Sequence, residues 1–137
     1  MPETPDINLE TVCFIIFKAR EFDAQEEVFD EDPGSNASDD GFREVLASHG
    51  DDETYNEIKA LIDALDVDEQ STLVALTWVG RGDFGSADWT EALSTANDRH
   101  NAHTATYLLG MPLLPDLLQT GLDEMGLSCA EFEREHL

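Results

Sequence analysis

The side chains with the clearest chemical potential lie in the run Asp98-Arg99-His100-Asn101-Ala102-His103. The surrounding pattern predicts a helix, and a spacing of three places His100 and His103 side by side on one face. Two imidazoles can supply two of the four ligands of a zinc ion, but no cysteine lies nearby to complete the set. Ligand number therefore favours the alternative, a histidine at the edge of the core that hydrogen-bonds a carboxylate or a carbonyl. The metal stays undefined, and no catalytic residue is predicted.

A second group of candidates surrounds the turn Arg81-Gly82-Asp83-Phe84-Gly85. Gly80 and Gly82 can both adopt positive φ, so the turn is interpreted as the end of a helix, with Gly80 as its last position. This interpretation is preferred to an adhesion tripeptide at Arg81-Gly82-Asp83, because a match of three residues is weak evidence.

Basic residues are scarce, which makes any cluster of them informative. The chain has 7 Lys and Arg against 31 Asp and Glu, a net charge of −24. A group of cations with aromatic walls is then the place where an anionic or planar ligand escapes general repulsion. The alternative is that Arg81 and Arg99 merely pair with Asp83, Asp88 or Asp98. The candidate ligand-binding or partner-binding residues are Trp78, Arg81, Asp83, Trp89, Arg99, His100, His103 and Tyr107.

The same net charge excludes some classes of partner. A surface this negative repels phosphate backbones and anionic membranes, so neither nucleic acid nor a membrane is expected as a partner. Residues 21–69 hold 18 acidic and two basic side chains, a charge of −16. A solvated face explains this stretch best; the alternatives are a phosphate-mimicking face that captures a basic protein, and weak cation binding. The acidic loop 30–40 does not fit an EF-hand, because Ser35 and Gly41 stand where Gly and Glu are required.

The elements that must position these side chains are predicted to be helices. Turn residues and caps separate seven segments with helical apolar spacing. They cover about 9–25, 39–49, 53–65, 66–80 and 113–125, a long helix from Ser86 to about Leu108, and a short helix opened by a capping box at Ser128. Residues 73–79 are apolar on nearly every side, which predicts a buried central helix. The expectation is one all-α domain over 1–137, with a buried strand at 12–17 as a local alternative.

Cysteine usage and the apolar runs bear on location. Cys13 and Cys129 lie 116 positions apart, which is no disulfide framework, so both thiols are predicted to be reduced. The first residues are acidic where a signal peptide is basic, and the longest apolar run has six residues. These features predict a cytoplasmic protein, and no cofactor is expected.

Several segments resemble one family. They are ETVCFIIFKAREFD at 10–23, DPGSN at 32–36, SDDG at 38–41, VGRGD at 79–83 and TYLLGMPLL at 106–114. They are similar to the uncharacterised bacterial family called domain of unknown function 3775. The resemblance implies a small helical bacterial domain and brings no activity, substrate or catalytic residue.

Three functional hypotheses follow. The first is a non-enzymatic protein-interaction or regulatory module that uses a helical face or the acidic surface. Its protein partner is unknown, and a basic one is an option. The second is a small enzyme or metal-binding protein that uses Arg81, Asp83, Arg99, His100 and His103. The third is an acidic mimic that sequesters a nucleic-acid-binding protein.

A homodimer is also predicted, because one region of a small bundle carries many large aromatic side chains, and a dimer would bury some of them. These residues are Trp78, Phe84, Trp89 and Tyr107.

Overall fold

The computed structural model of the protein describes residues 7–30 and 53–136. Within those ranges the chain forms seven α-helices, one 3₁₀ helix at Ser86–Asp88 and no strand, an all-α single-domain bundle as predicted. The α-helices are α1 (Leu9–Asp30), α2 (Glu53–Ala64), α3 (Val67–Arg81), α4 (Trp89–Asp98), α5 (Thr104–Leu109), α6 (Leu114–Glu124) and α7 (Ala130–His136). The predicted helix at 39–49, and the acidic loop predicted at 30–40 apart from its first residue, lie outside the described residues.

Helix α3 is the centre of the bundle, as the apolar run at 73–79 predicts. Every residue from 70 to 79 is buried. A capping box fixes the start of the helix: the Asp66 carboxylate accepts the Glu69 N–H at 2.8 Å, and the Glu69 carboxylate accepts the Asp66 N–H at 3.2 Å. Gly82 ends it with a φ of 94°, a left-handed conformation that glycine adopts without steric cost.

Gly80 does not end α3, and the prediction that it does is wrong. It lies inside the helix, where α3 crosses α6 at close range. A Cβ atom at Gly80 would lie 1.8 Å from the carbonyl oxygen of Leu117, and one at Gly121 would lie 2.2 Å from the carbonyl oxygen of Leu76. The two glycines therefore allow backbone-to-backbone approach at the most extensive helix contact of the described chain.

Residues 12–17 are helical rather than a strand. They belong to α1, where Asn8 accepts the Glu10 N–H with its side-chain oxygen at 2.8 Å and so satisfies one of the free donors of the first turn. The buried apolar side chains of α1 face α2, α6 and α7. They are Val12, Cys13, Ile15, Ile16, Ala19 and Phe22.

Cys13 and Cys129 form a disulfide, so the prediction of two reduced thiols is wrong. Their Cα atoms lie 5.7 Å apart. The short α7 folds back onto α1, and the ring of Phe132 meets that of Phe17 edge-on with centroids 6.3 Å apart. The separation of 116 residues hides this pairing, because it depends on how the intervening chain brings the two cysteines together. Disulfides persist mainly in oxidising compartments, so the cysteines no longer support a cytoplasmic location.

The long helix predicted from Ser86 to about Leu108 is also wrong. The chain instead forms the 3₁₀ helix, α4, a non-helical connection at 99–103, and α5. Asn101 causes part of this break, because its side-chain oxygen accepts the His103 N–H at 2.7 Å and offers the backbone an alternative to helix. The connection turns the chain so that α4 and α5 both face α3.

Candidate functional site

A cavity of about 260 Å³ lies where α3 meets α4, α5 and the connection between them. Five of its lining residues are buried, and we call this part its deep end: Ser71, Val74, Trp78, Ala96 and Thr104. The side chains of the connection are more exposed, and we call that part its opening. The lining residues are Ser71, Val74, Trp78, Ala96, Arg99, His100, Asn101, His103, Thr104 and Tyr107. None of the ten carries a carboxylate, although the net charge of the chain is −24.

Trp78 forms an aromatic wall of the cavity and is held from several directions. Its side chain is 6% exposed, and its indole N–H donates to the Tyr107 hydroxyl at 3.0 Å. The Phe84 ring stacks on it with centroids 6.0 Å apart. The guanidinium carbon of Arg99 lies 5.9 Å from the centre of the indole ring, within the range of a cation–π contact.

The two histidines share the cavity but not a helix face. His100 lies in the connection, and its Nε2 is 2.6 Å from the side-chain oxygen of Gln70. The Gln70 amide nitrogen donates to the Ile62 carbonyl at 2.8 Å, so its oxygen is the acceptor and His100 Nε2 carries the proton. His103 is exposed immediately before α5. The predicted placement one helical turn apart is therefore wrong, whereas a carbonyl partner for His100 agrees with the core-edge alternative.

The metal hypothesis gains no support from the part of the chain that the structure describes. Within residues 7–30 and 53–136, no three His, Cys, Asp or Glu side chains converge as a metal site requires. The contact between His100 Nε2 and the Gln70 oxygen does not decide the matter, because a histidine that binds a metal through one ring nitrogen also donates the other N–H to an oxygen.

Arg81 and Arg99 differ in what neutralises them. Arg81 and Asp83 form an ion pair at 2.6 Å, and the Asp83 hydrogen bond is the main cause of a raised Arg81 pKa. The pairing alternative therefore describes Arg81. No carboxylate among the described residues lies within ion-pair distance of Arg99, and four of the other five described cations do have such partners. They are Lys18, Arg20, Lys59 and Arg81.

The structure brings five of the eight candidate residues to the cavity and leaves three elsewhere. Trp78, Arg99, His100, His103 and Tyr107 line it. Arg81 and Asp83 pair with each other in the turn after α3, and Trp89 is 3% exposed in the core. Sequence reasoning missed Ser71, Val74, Ala96, Asn101 and Thr104. Only Asn101 carried a readable signal, since Asn favours local turns over helix interiors.

The aromatic argument for a homodimer loses its basis, although the homodimer itself stays a prediction. The single chain buries Trp78 and Trp89 without a partner, and Phe84 is half-buried against Trp78. Tyr107 is the exposed member, at 44%, and its hydroxyl is already bonded to Trp78.

A larger cavity of about 400 Å³ lies beside the disulfide, between α1, α6 and α7. Its walls are mainly apolar, and Arg20 donates to Gln119 and pairs with Asp116 at 3.4 Å. Its cation is therefore already neutralised, unlike Arg99. The smaller cavity has the better case for binding because volume alone supplies no specificity.

No described helix is both long enough and apolar enough to cross a membrane.

Comparison with known proteins finds a family model, described as "Protein of unknown function (DUF3775)", that matches residues 55–127, just over half of the chain. All ten residues that line the smaller cavity lie inside this segment, and both cysteines lie outside it. No curated protein and no solved structure matches the chain significantly.

Proposed function

The chain belongs to the DUF3775 family, and we propose that it is a binding module for a small planar organic anion. The site is the cavity between α3, α4 and α5. The ring of the ligand lies against Trp78, and its acidic group meets Arg99 and the histidines at the opening. Binding, rather than chemistry on the ligand, is the function that these side chains support.

The observation that carries the proposal is the position of Arg99. It is a cation without a carboxylate partner among the described residues, it lies over the indole of Trp78, and it lines a cavity without acidic side chains. An arginine fork matches the two oxygens of a carboxylate, and charge-assisted hydrogen bonds of this kind are stronger than neutral ones. In a chain of −24, such a place attracts an anion that the rest of the surface repels.

The size of the cavity limits the ligand to about one ring. Ligand pockets usually measure about 300–1,000 Å³, and this one, at about 260 Å³, lies just below that range. A benzoate-like acid supplies the flat ring for Trp78 and the carboxylate for Arg99. This class of ligand therefore satisfies both recognition groups without exceeding the space.

The other functional hypotheses have less support. Protein interaction and acidic mimicry depend in part on residues 31–52, which lie outside the described chain. The enzyme hypothesis required Arg81 and Asp83 beside the histidines, but those two residues neutralise each other in a turn that does not line the cavity. A regulatory role remains compatible with binding, since a bound ligand stabilises the conformation that holds it.

Isothermal titration calorimetry of the full chain with benzoate tests the proposal. Benzamide keeps the ring without the charge, and acetate keeps the charge without the ring. We expect benzoate to bind more tightly than either. Arg99→Ala should weaken benzoate binding about five- to tenfold, the range of one charge-assisted hydrogen bond at a partly exposed site.

Arg134→Ala is the matched control. Arg134 lies on α7, does not line the cavity and forms no ion pair with a described residue. Its replacement by alanine removes one positive charge, as Arg99→Ala does. Its affinity for benzoate should equal that of the unmodified chain. Equal losses in both variants would show that the effect is general electrostatics, and absence of benzoate binding to the unmodified chain would overturn the proposal.

A further inference from the structure

The deep end of the cavity contains a buried hydroxyl without a hydrogen-bond partner. Ser71 is 1% exposed and lines the cavity, and its Oγ is the only buried side-chain nitrogen or oxygen of the described residues that has no partner. A buried hydroxyl that makes no hydrogen bond costs free energy. One explanation for such a group is a ligand that supplies the missing hydrogen-bond partner.

The behaviour of neighbouring hydroxyls shows that Ser71 departs from the local pattern. A helical Ser or Thr can donate to the carbonyl four residues earlier. Thr72 does so to Asp68 at 2.8 Å, and Thr77 does so to Leu73 at 2.9 Å, both on the same helix. Ser71 makes no such bond, so its hydroxyl has no protein partner to lose when a ligand enters the cavity that the residue lines.

The other polar groups near the deep end are already engaged within the protein. The Thr104 hydroxyl donates to the Asn101 carbonyl at 3.2 Å, and the Trp78 N–H donates to Tyr107. Gln70 and His100 satisfy each other. Ser71 is therefore the buried group left to recognise a polar atom of a ligand.

We infer that the ligand carries a neutral hydrogen-bonding group at the end opposite its acid. Ser71 is the specificity-determining residue for that neutral group, which its Oγ hydrogen-bonds. The inference rests on the proposed function, because it assigns the orientation of the same ligand. The charged group stays at the solvated opening near Arg99, where desolvation is least costly, and the neutral group enters the buried end. A phenol acid such as 4-hydroxybenzoate has this arrangement.

A comparison of three probes in the full chain tests the inference. Calorimetry would measure affinities for benzoate, 4-hydroxybenzoate and 4-methylbenzoate, of which the last two have nearly the same size. We expect 4-hydroxybenzoate to bind about three- to tenfold more tightly than 4-methylbenzoate, the factor of one net hydrogen bond. Ser71→Ala should abolish that preference. Thr72→Val removes a hydroxyl of α3 that does not line the cavity, and it should keep the preference.

The outcomes separate the two proposals. If benzoate binds but 4-hydroxybenzoate and 4-methylbenzoate bind equally, the assignment of Ser71 is wrong and the anion site stands. A preference that survives Ser71→Ala also overturns the assignment. If none of the three acids binds, the proposed function itself fails. Circular dichroism of both variants verifies that each comparison is between folded proteins.

Discussion

The two sides of α3 differ in how closely they pack against the neighbouring helices. On the side that meets α6, Gly80 and Gly121 let carbonyl groups approach so closely that a single methyl group would collide with them. On the side that meets α4 and α5, Ser71 and Trp78 border an open space, and one hydroxyl is left without a partner. The first side is closely packed. The second side leaves a cavity and one buried hydroxyl without a hydrogen bond. Deviations of that kind in a central helix are expected at functional sites.

The largest effect is expected from Gly80→Ala, which acts on the packed side. Its Cβ would lie 1.8 Å from the Leu117 carbonyl oxygen, so α3 and α6 must separate. We expect a loss of at least about 3 kcal/mol in the free energy of unfolding, at the upper end of overpacking costs and a large share of a typical domain's stability. Urea denaturation would measure it.

Gly85→Ala is the control for this prediction. A Cβ atom at Gly85 would have its nearest neighbour 3.7 Å away, an ordinary contact, and its backbone has negative φ. The midpoint of its urea transition should therefore match that of the unmodified chain. A Gly80→Ala protein with unchanged stability would show that the two helices are not locked together by close approach.

The same contrast explains what the sequence could predict. Apolar spacing and caps predicted α2, α3 and α6 to within one residue at each end, and they predicted the start of α1, because those signals are local. Helix α1 continues to Asp30, five residues beyond its predicted end. The apolar run of α3 predicted burial on all sides, but it contains nothing that separates the packed side from the side with a cavity. The disulfide, the role of Gly80 and the free hydroxyl of Ser71 each depend on residues distant in the chain. Spacing along one helix does not encode such contacts.

Half of the candidate site was predicted by chemistry rather than by geometry. Scarcity of cations pointed to Arg99 and its neighbours, and five of eight named residues line one cavity. The predicted long helix was wrong, yet Arg99 and both histidines remain at the cavity because the connection folds back over α3. Sequence proximity alone kept them together.

Removal of the disulfide tests whether ligand binding at the cavity depends on the contact between α1 and α7. Cys13→Ser combined with Cys129→Ser should lower the free energy of unfolding by about 2–4 kcal/mol, since the bond closes a loop of over a hundred residues in the unfolded chain. Benzoate affinity below the transition should be unchanged, because neither α1 nor α7 contributes a residue to the cavity. Thermal denaturation and calorimetry would measure the two quantities. Loss of binding by a folded variant would show that the two ends of the bundle are coupled.

The smallest effect is expected from Ser71→Ala measured without ligand, and its sign is the informative quantity. The substitution removes an unsatisfied buried hydroxyl and introduces the best helix former, so the protein should gain about 0.5–1 kcal/mol of stability. Thr72→Val should do the reverse and lose about 0.5–1 kcal/mol, because its hydroxyl is bonded to the Asp68 carbonyl. Urea denaturation of the two variants side by side would give the two signs. A destabilised Ser71→Ala protein would mean that the hydroxyl contributes to the fold, and the two sides of α3 would then differ in packing alone.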